Sequence, residues 1–348
     1  METKLIVISA EEYEDNLLQA AGLLKKGELV AFPTETVYGL GADGLNSTAV
    51  AKIYQAKGRP SDNPLILHIA DLEQLNNLVE VISPQAQILI NKYWPGPLTI
   101  VFKRRENVPD IVTGGLDSVA VRMPDNEIAR ALIRMADSPL AAPSANTSGR
   151  PSPTSAKAVL DDLQGKIAAI VDGGECHIGL ESTVIDCSDE VPVLLRPGAI
   201  TLEMLRNDLG KIVLDKALDD VNLKPKAPGM KYKHYAPAAP LVLFESENSF
   251  NLVEKIKEEC EKALASGKKV GVIVSNETAA QLPDNILKVA YGPKHILKQI
   301  GLNLYTSLRY YDKNKVDIIF AEGVKRSGLG LAIMNRLDKA SGHNIVKC

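Results

Sequence analysis

Lys57-Gly-Arg59-Pro-Ser-Asp-Asn63-Pro64 sets two cations and an amide on a stretch stiffened by glycine and proline. A guanidinium offers phosphate a planar fork and an ammonium a point charge, so this stretch can hold a phosphorylated ligand. Taken alone, it reads first as a solvated basic loop. Four further stretches share an unusual composition: Ser118-Val-Ala-Val-Arg122, Ala142-Pro-Ser144-Ala-Asn146 running on to Arg150-Pro-Ser152, Glu181-Ser182-Thr183, and Arg196-Pro-Gly198. Each puts Arg, Ser or Asn beside Gly or Pro at the end of an apolar run. Strand ends are where α/β folds build small-molecule sites. Together the stretches suggest a cleft of fixed cations and neutral donors suited to an anionic ligand such as a triphosphate or a carboxylate. Singly, each is a hydroxyl-rich turn.

Other chemistry finds little support. Gly39-Leu-Gly-Ala-Asp-Gly44 spells the dinucleotide-binding glycine pattern, but Pro33-Thr-Glu-Thr36 intervenes after the preceding strand. The plainer reading is a turn that needs positive φ. No GxxxxGK[ST] run occurs, so a nucleotide would be gripped by side chains. No Ser–His–Asp or Cys–His set supports covalent catalysis. His68 ends an apolar strand and, by itself, reads as a satisfied core residue. Cys176, Cys187, Cys260 and Cys348 form no CxxC pair, and Cys176 beside His177 is the nearest thing to a ligand pair.

These residues need a scaffold of strands and helices. Glu12–Lys25 reads as an amphipathic helix ended by Gly27, and residues 28–32 as a strand. Asn46-Ser47 caps a helix running to Lys57. Strands are expected near residues 65–69, 98–102, 119–122, 140–142, 168–171, 183–186 and 193–196, with helices at 84–93, 155–163 and 201–209. The strands are too irregularly spaced for a clean βαβ series, so the first part is a mixed α/β sheet. Character changes after Lys211. Residues 224–240 carry four prolines and no periodic face, which is a linker composition. Strand–helix alternation then resumes to the end and predicts a small parallel-sheet domain. The expected division is 1–212, a linker at 213–238, and 239–348.

At 348 residues, 45% hydrophobic and 24% charged, the chain suits a soluble globular protein with an aliphatic core. Its net charge of −3 argues against a basic nucleic-acid coat while leaving room for a local basic cleft. No apolar run reaches the roughly 18 residues of a membrane span. The first residues are no signal peptide, so a cytoplasmic address with no membrane partner is expected.

Pro33-Thr-Glu-Thr-Val-Tyr-Gly-Leu-Gly41, Lys57-Gly-Arg59, Trp94-Pro-Gly-Pro-Leu-Thr99, Ser144-Ala-Asn146, Gly179-Leu-Glu-Ser-Thr-Val184 and Leu195-Arg-Pro-Gly198 follow one another in the order seen in YrdC-like domains. His234-Tyr-Ala-Pro237 and Gly328-Leu-Gly-Leu-Ala-Ile-Met-Asn-Arg-Leu337 resemble the longer, two-domain members, the L-threonylcarbamoyladenylate synthases. The resemblance covers nearly the whole chain. It implies a YrdC-like twisted mixed sheet with flanking helices, plus a small Rossmann-like parallel-sheet C-terminal domain. It implies a nucleotidyltransferase that makes threonylcarbamoyl-AMP and pyrophosphate from L-threonine, bicarbonate or CO2, and ATP. Mg²⁺ would ride on the ATP phosphates, with no metal ligand from the protein. The product would feed threonylcarbamoyladenosine formation on tRNA, with a downstream transferase, and tRNA itself, as partners.

The resemblance also carries residue roles. Lys57 and Arg59 would be catalytic. Lys57, Arg59, Asn63, Ser118, Ser144, Asn146, Ser152 and Arg196 match ATP-side positions. Thr36, His68, Arg122, Ala142 through its backbone, and Ser182 match the threonine side. His234 and Tyr235 would close over the nucleotide as part of a lid. Ser118 stands where many members carry threonine. The rival from another class is a tRNA- or double-stranded-RNA-binding module with no chemistry, whose binding should fall steeply with salt. A related carbamoyl-transferring enzyme of hydrogenase maturation would want zinc-finger CxxC sets that this chain lacks.

Overall fold

In the computed structural model the described residues are 2–215, 234–246 and 249–348. The chain divides into two compact units. The first comprises Met1–Ser148, Ser152–His177 and Glu181–Tyr232, and the second Gly149–Pro151, Ile178–Leu180 and Lys233–Cys348.

The first unit is built on strands β1 (Lys4–Val7), β2 (Val30–Phe32), β3 (Gly39–Asp43), β4 (Ile66–His68), β5 (Leu98–Lys103), β6 (Ser118–Arg122), β7 (Leu140–Ala141), β8 (Ala169–Asp172), β9 (Thr183–Asp186), β10 (Val193–Arg196) and β11 (Val213–Leu214). They form one sheet in the order β1-β8-β2-β3-β7-β4-β6-β5-β9-β10-β11. Parallel and antiparallel pairs mix throughout: β4 runs parallel to β6, β5 antiparallel to β6, and β5 parallel to β9. Helices α1 (Tyr13–Lys25), α2 (Ser47–Lys57), α3 (Leu72–Leu78), α4 (Pro84–Tyr93), α5 (Asp110–Thr113), α6 (Glu127–Ala136), α7 (Ala156–Leu163) and α8 (Leu202–Leu209) connect them. One core joins Leu17, Ala20, Ala21 and Leu24 of α1 to Ala129, Leu132, Ile133 and Ala136 of α6, over Val30, Phe32, Ala169 and Val171 of the sheet.

Local sequence explains where the functional segments begin and end. Asn46 caps α2 by accepting from the amides of Thr48 and Ala49, and Gly58 ends it in the left-handed conformation at φ 61°. Lys57 is therefore the last helical residue and Arg59 the first beyond the turn. The glycine run 39–44 departs from expectation. Gly39, Gly41 and Gly44 are not at positive φ. Gly39 and Gly41 lie in β3, and a Cβ at Gly41 would meet the Phe32 ring at 2.8 Å. Close packing, not turn geometry, selects glycine there.

The second unit carries β12 (Leu241–Glu245), β13 (Val270–Val274), β14 (Leu287–Ala290), β15 (Ile318–Glu322) and β16 (Ile345–Lys347), with α9 (Ser249–Ala265), α10 (Asn276–Ala279), α11 (Leu297–Lys313) and α12 (Leu329–Ser341). Its sheet is parallel throughout, in the order β14-β13-β15-β12-β16. The expected parallel domain is present, but β14 and β16 do not announce themselves in sequence. They are short edge strands with half-exposed residues and no clean alternation. Of the expected linker 213–238, Val213–Leu214 pair with β10 in the first sheet. Residues 216–233 lie outside the described residues. Among the described residues no helix is long and apolar enough to cross a membrane.

Candidate active site

The register of the first sheet lines up the motif residues on neighbouring strands. His68 of β4 pairs with Arg122 of β6, Ile100 of β5 with Val121, and Leu98 with Thr183 of β9. Arg196 closes β10, the next strand.

Arg122 is 3% exposed. Its Nε donates to the Gly96 carbonyl at 3.2 Å and its Nη1 to the Thr36 hydroxyl at 2.9 Å. Its Nη2 lies 2.6 Å from Oε2 of Glu35, a residue only 1% exposed. Thr36 Oγ1 also lies 2.8 Å from Thr34 Oγ1, and Thr34 folds the turn by accepting from the amides of Thr36 and Val37. The Pro33–Val37 segment thus exists to bring a carboxylate and a hydroxyl onto one guanidinium. The Trp94–Thr99 motif supplies the third partner, the Gly96 carbonyl. A Cβ at Gly96 would meet the Tyr93 carbonyl at 2.3 Å, so this turn needs glycine.

His68 packs edge-on against Phe32, with ring centroids 6.3 Å apart. Burial first, then the Arg122 charge, push its pKa down to about 3, so the ring is neutral at neutral pH. Its buried Nδ1 takes no well-formed hydrogen bond among the described residues. Asn63 Oδ1 is buried in the same condition. Buried polar atoms left this way mark places where a ligand or water belongs.

A second chain of contacts centres on Ser182. Its hydroxyl lies 2.7 Å from Thr99 Oγ1 and accepts from Arg196 Nη2 at 3.1 Å, while Arg196 Nε donates to the Ser182 carbonyl at 3.0 Å. Gly198 lets the Arg196-Pro-Gly turn close on β9, because a Cβ there would stand 2.4 Å from the Thr183 amide nitrogen.

The third group joins α2 to the Ser144–Asn146 loop. Lys57 is 2% exposed, and its ammonium donates to the carbonyls of Ser144 and Asn146. Ser144 Oγ donates to Asn146 Oδ1. Arg59 turns back on its own loop, donating to the carbonyls of Asn63 at 3.3 Å and Pro64 at 3.1 Å. Ser144 also bridges to Gly39, and the Ala142 amide donates to the Ile66 carbonyl. Ser152 is buried and donates to Glu181 at 2.6 Å.

Ser118 opens β6 while Arg122 closes it, which at about 3.3 Å per residue separates them by roughly 13 Å. His234 and Tyr235 belong to the second unit, where Tyr235 stacks on Tyr305 at 5.2 Å and His234 lies 5.5 Å from Tyr235. Arg150 pairs with Asp312 within that unit at 2.8 Å. Cys176 is buried, and burial pushes its thiol up to about 12. His177 beside it is exposed, so the two are no ligand pair. Sequence reading passed over Glu35, Thr99 and Glu181. All three sit inside quoted motifs, but an acid or hydroxyl next to an arginine in space leaves no spacing signal.

Fold and site together define an α/β protein with buried Arg122 and Arg196 on strands of one mixed sheet, buried Lys57 at the end of α2, and a neutral, buried His68. Comparison with known proteins gives the family. The family described as "Telomere recombination" matches residues 22–198, and that described as "Threonylcarbamoyl-AMP synthase, C-terminal domain" matches residues 200–342. Threonylcarbamoyl-AMP synthase of Pyrococcus abyssi is 51% identical over 94% of this chain and 94% of its own length. The Bacillus subtilis protein of the same name is 49% identical over 96% of this chain and 95% of its own. The crystal structure of P. abyssi Sua5 complexed with L-threonine superposes with a TM-score of 0.93 at 49% identity, covering 100% of both chains. The chain belongs to the Sua5/YrdC family of threonylcarbamoyl-AMP synthases, in its two-domain form.

Proposed function

We propose that this protein converts L-threonine, bicarbonate or CO2, and ATP into threonylcarbamoyl-AMP and pyrophosphate, in the service of threonylcarbamoyladenosine formation on tRNA. The observation that carries the reading is the Arg122–Thr36–His68 group, a guanidinium with a hydroxyl and a neutral imidazole, in the same sheet as the Ser182–Arg196 pair, with β5 between β6 and β9. That combination suits a hydroxy amino acid next to a polyanion.

Arg122 takes the threonine carboxylate. Thr36 and His68 read the side-chain hydroxyl, and the Ala142 backbone with Ser182 completes that side. Lys57, Arg59, Asn63, Ser118, Ser144, Asn146, Ser152 and Arg196 form the ATP side. The amine nitrogen bonds the bicarbonate carbon with loss of water, giving a carbamate. A carbamate oxygen then attacks the α-phosphorus, and the bond to pyrophosphate breaks. Holding the short-lived carbamate against phosphorus replaces a bimolecular encounter, an effect worth up to about 7–11 kcal/mol in ideal cases. Arg59, Arg196 and Lys57 stabilise charge that grows on the phosphoryl and leaving oxygens. Serine differs from threonine by one methyl, so discrimination is on the order of 1–3 kcal/mol.

No group of three or more His, Cys, Asp or Glu side chains placed to hold a metal occurs among the described residues. The Mg²⁺ that the family resemblance implies would ride on the ATP phosphates, and none of the steps above runs through it. His234 and Tyr235, anchored by Tyr305, remain proposed as the segment that shelters the nucleotide. A downstream tRNA-modifying transferase would consume the labile adenylate.

The test supplies ATP, L-threonine and labelled bicarbonate, then follows pyrophosphate and seeks the labelled adenylate by mass spectrometry. Label must enter a threonine- and AMP-containing product. Pyrophosphate release that ignores threonine would sink the reading. Arg59→Ala and Lys57→Ala should each lower threonine-dependent turnover at least 100-fold.

A further inference from the structure

The parallel sheet of the second unit has a topological switch. From β12 the chain leaves through α9 to β13 and then β14 on one side. From β15, the strand beside β12, it leaves through α12 to β16 on the other. Connections that depart in opposite directions from two adjacent parallel strands open a crevice beyond their carboxyl ends, where open α/β sheets bind ligands.

A cavity of about 740 Å³ lies there, within the 300–1,000 Å³ typical of small-molecule sites. Glu245 at the end of β12, Gly323 just past β15 and Lys347 at the end of β16 line it, with Lys294, Val324, Lys325, Arg326 and Leu252. The charges fall into two groups. Arg326 is fixed between Glu245 and Asp338, and Lys294 lies 3.1 Å from the fully buried Glu322. Lys325 and Lys347 are exposed and make no ion pair among the described residues. Leu252 and Val324 give the wall an apolar part. The loop after β15 is folded tightly, since a Cβ at Gly330 would stand 2.0 Å from the Lys325 carbonyl and Gly328 adopts φ 55°. This is the glycine-bearing run Gly323–Gly330, which the catalytic site leaves unused.

We infer that this crevice binds a small organic phosphate of mononucleotide size, with Lys325 and Lys347 on the phosphate and the Leu252–Val324 wall against the organic part.

Hydrogen–deuterium exchange of the full chain tests this, with AMP and inorganic phosphate added in separate arms. Peptides covering 57–63 and 144–152, with ATP added, report the catalytic site as a control. AMP should slow exchange in peptides covering 322–331 at least ten-fold. A Lys325→Glu/Lys347→Glu double variant should lose that protection while keeping threonine-dependent pyrophosphate release within two-fold of the unaltered protein. Unchanged exchange in 322–331 at millimolar AMP overturns the inference. So does protection that survives the double charge reversal, or protection by inorganic phosphate equal to that by AMP.

Discussion

Arg122 is buried with its charge met by Glu35. Glu35 is sealed from solvent, so it acts through Arg122 as a positioning residue. Glu35→Gln keeps the shape but weakens the hold on the guanidinium. The expected result is a threonine KM raised at least ten-fold with the ATP KM within two-fold, and Glu35→Asp intermediate between the two. Equal loss for both substrates would mean general damage instead. His68 makes a prediction in pH. Its folded pKa, about 3, lies below the ordinary 6.5, so the unfolded chain takes up the proton first as pH falls. Stability is therefore whole above pH 6.5 and falls toward pH 3, with a limiting slope of about 1.4 kcal/mol per pH unit from this one group. His68→Gln should flatten that part of a denaturant-versus-pH series. A slope identical in the variant would refute the assignment. Over pH 6.5–8.5 the threonine KM should show no inflection from this ring.

Turns, more than strands, decide whether the site closes. Gly22 sits within α1 with nothing within 4 Å of a Cβ, whereas Gly198 would drive its Cβ into the Thr183 backbone. Gly22→Ala should raise stability by roughly 0.5–1 kcal/mol through helix propensity. Gly198→Ala should lower it by about 1–3 kcal/mol through overpacking and should also abolish turnover, because Arg196 and Ser182 sit on the two segments forced apart. Thermal melts and a pyrophosphate assay on both variants decide the point. Such elements also show what the sequence reveals. The Asn46 cap and the run of α2 to Lys57 were readable, because a cap is a local event. The α/β class and the parallel second sheet were readable from periodicity. The glycines of β3 were not, since their reason is Phe32 across the pair. Nor was the Glu35–Arg122 contact, which joins residues far apart in the chain. The motif stretches mark segments, and only folding reveals which side chain meets which.

Each of the two units has its own sheet and core, which makes the first a candidate for independent folding. Its Arg122, Ser182–Arg196 and Lys57–Ser144 groups all lie within it. A fragment of residues 1–215 should therefore melt cooperatively and retain threonine binding within about three-fold. It should not be as stable as the whole chain. Gly149–Pro151 and Ile178–Leu180 belong to the second unit, and Leu180 is fully buried there. Gly179 packs so closely that a Cβ would stand 2.4 Å from the Leu302 Cα. Baring one such leucine costs about 1.5–3 kcal/mol, and at roughly 2–4 °C per kcal/mol the fragment should melt several degrees lower. The proposed nucleotide-sheltering role of His234 and Tyr235 predicts that ATP affinity falls further than threonine affinity in this fragment. Calorimetric titration of both ligands into the fragment separates these effects. ATP affinity equal to that of the full chain would rule out a nucleotide-sheltering role for the His234–Tyr235 segment. A fragment without a cooperative transition would show that the first sheet needs the second unit to fold.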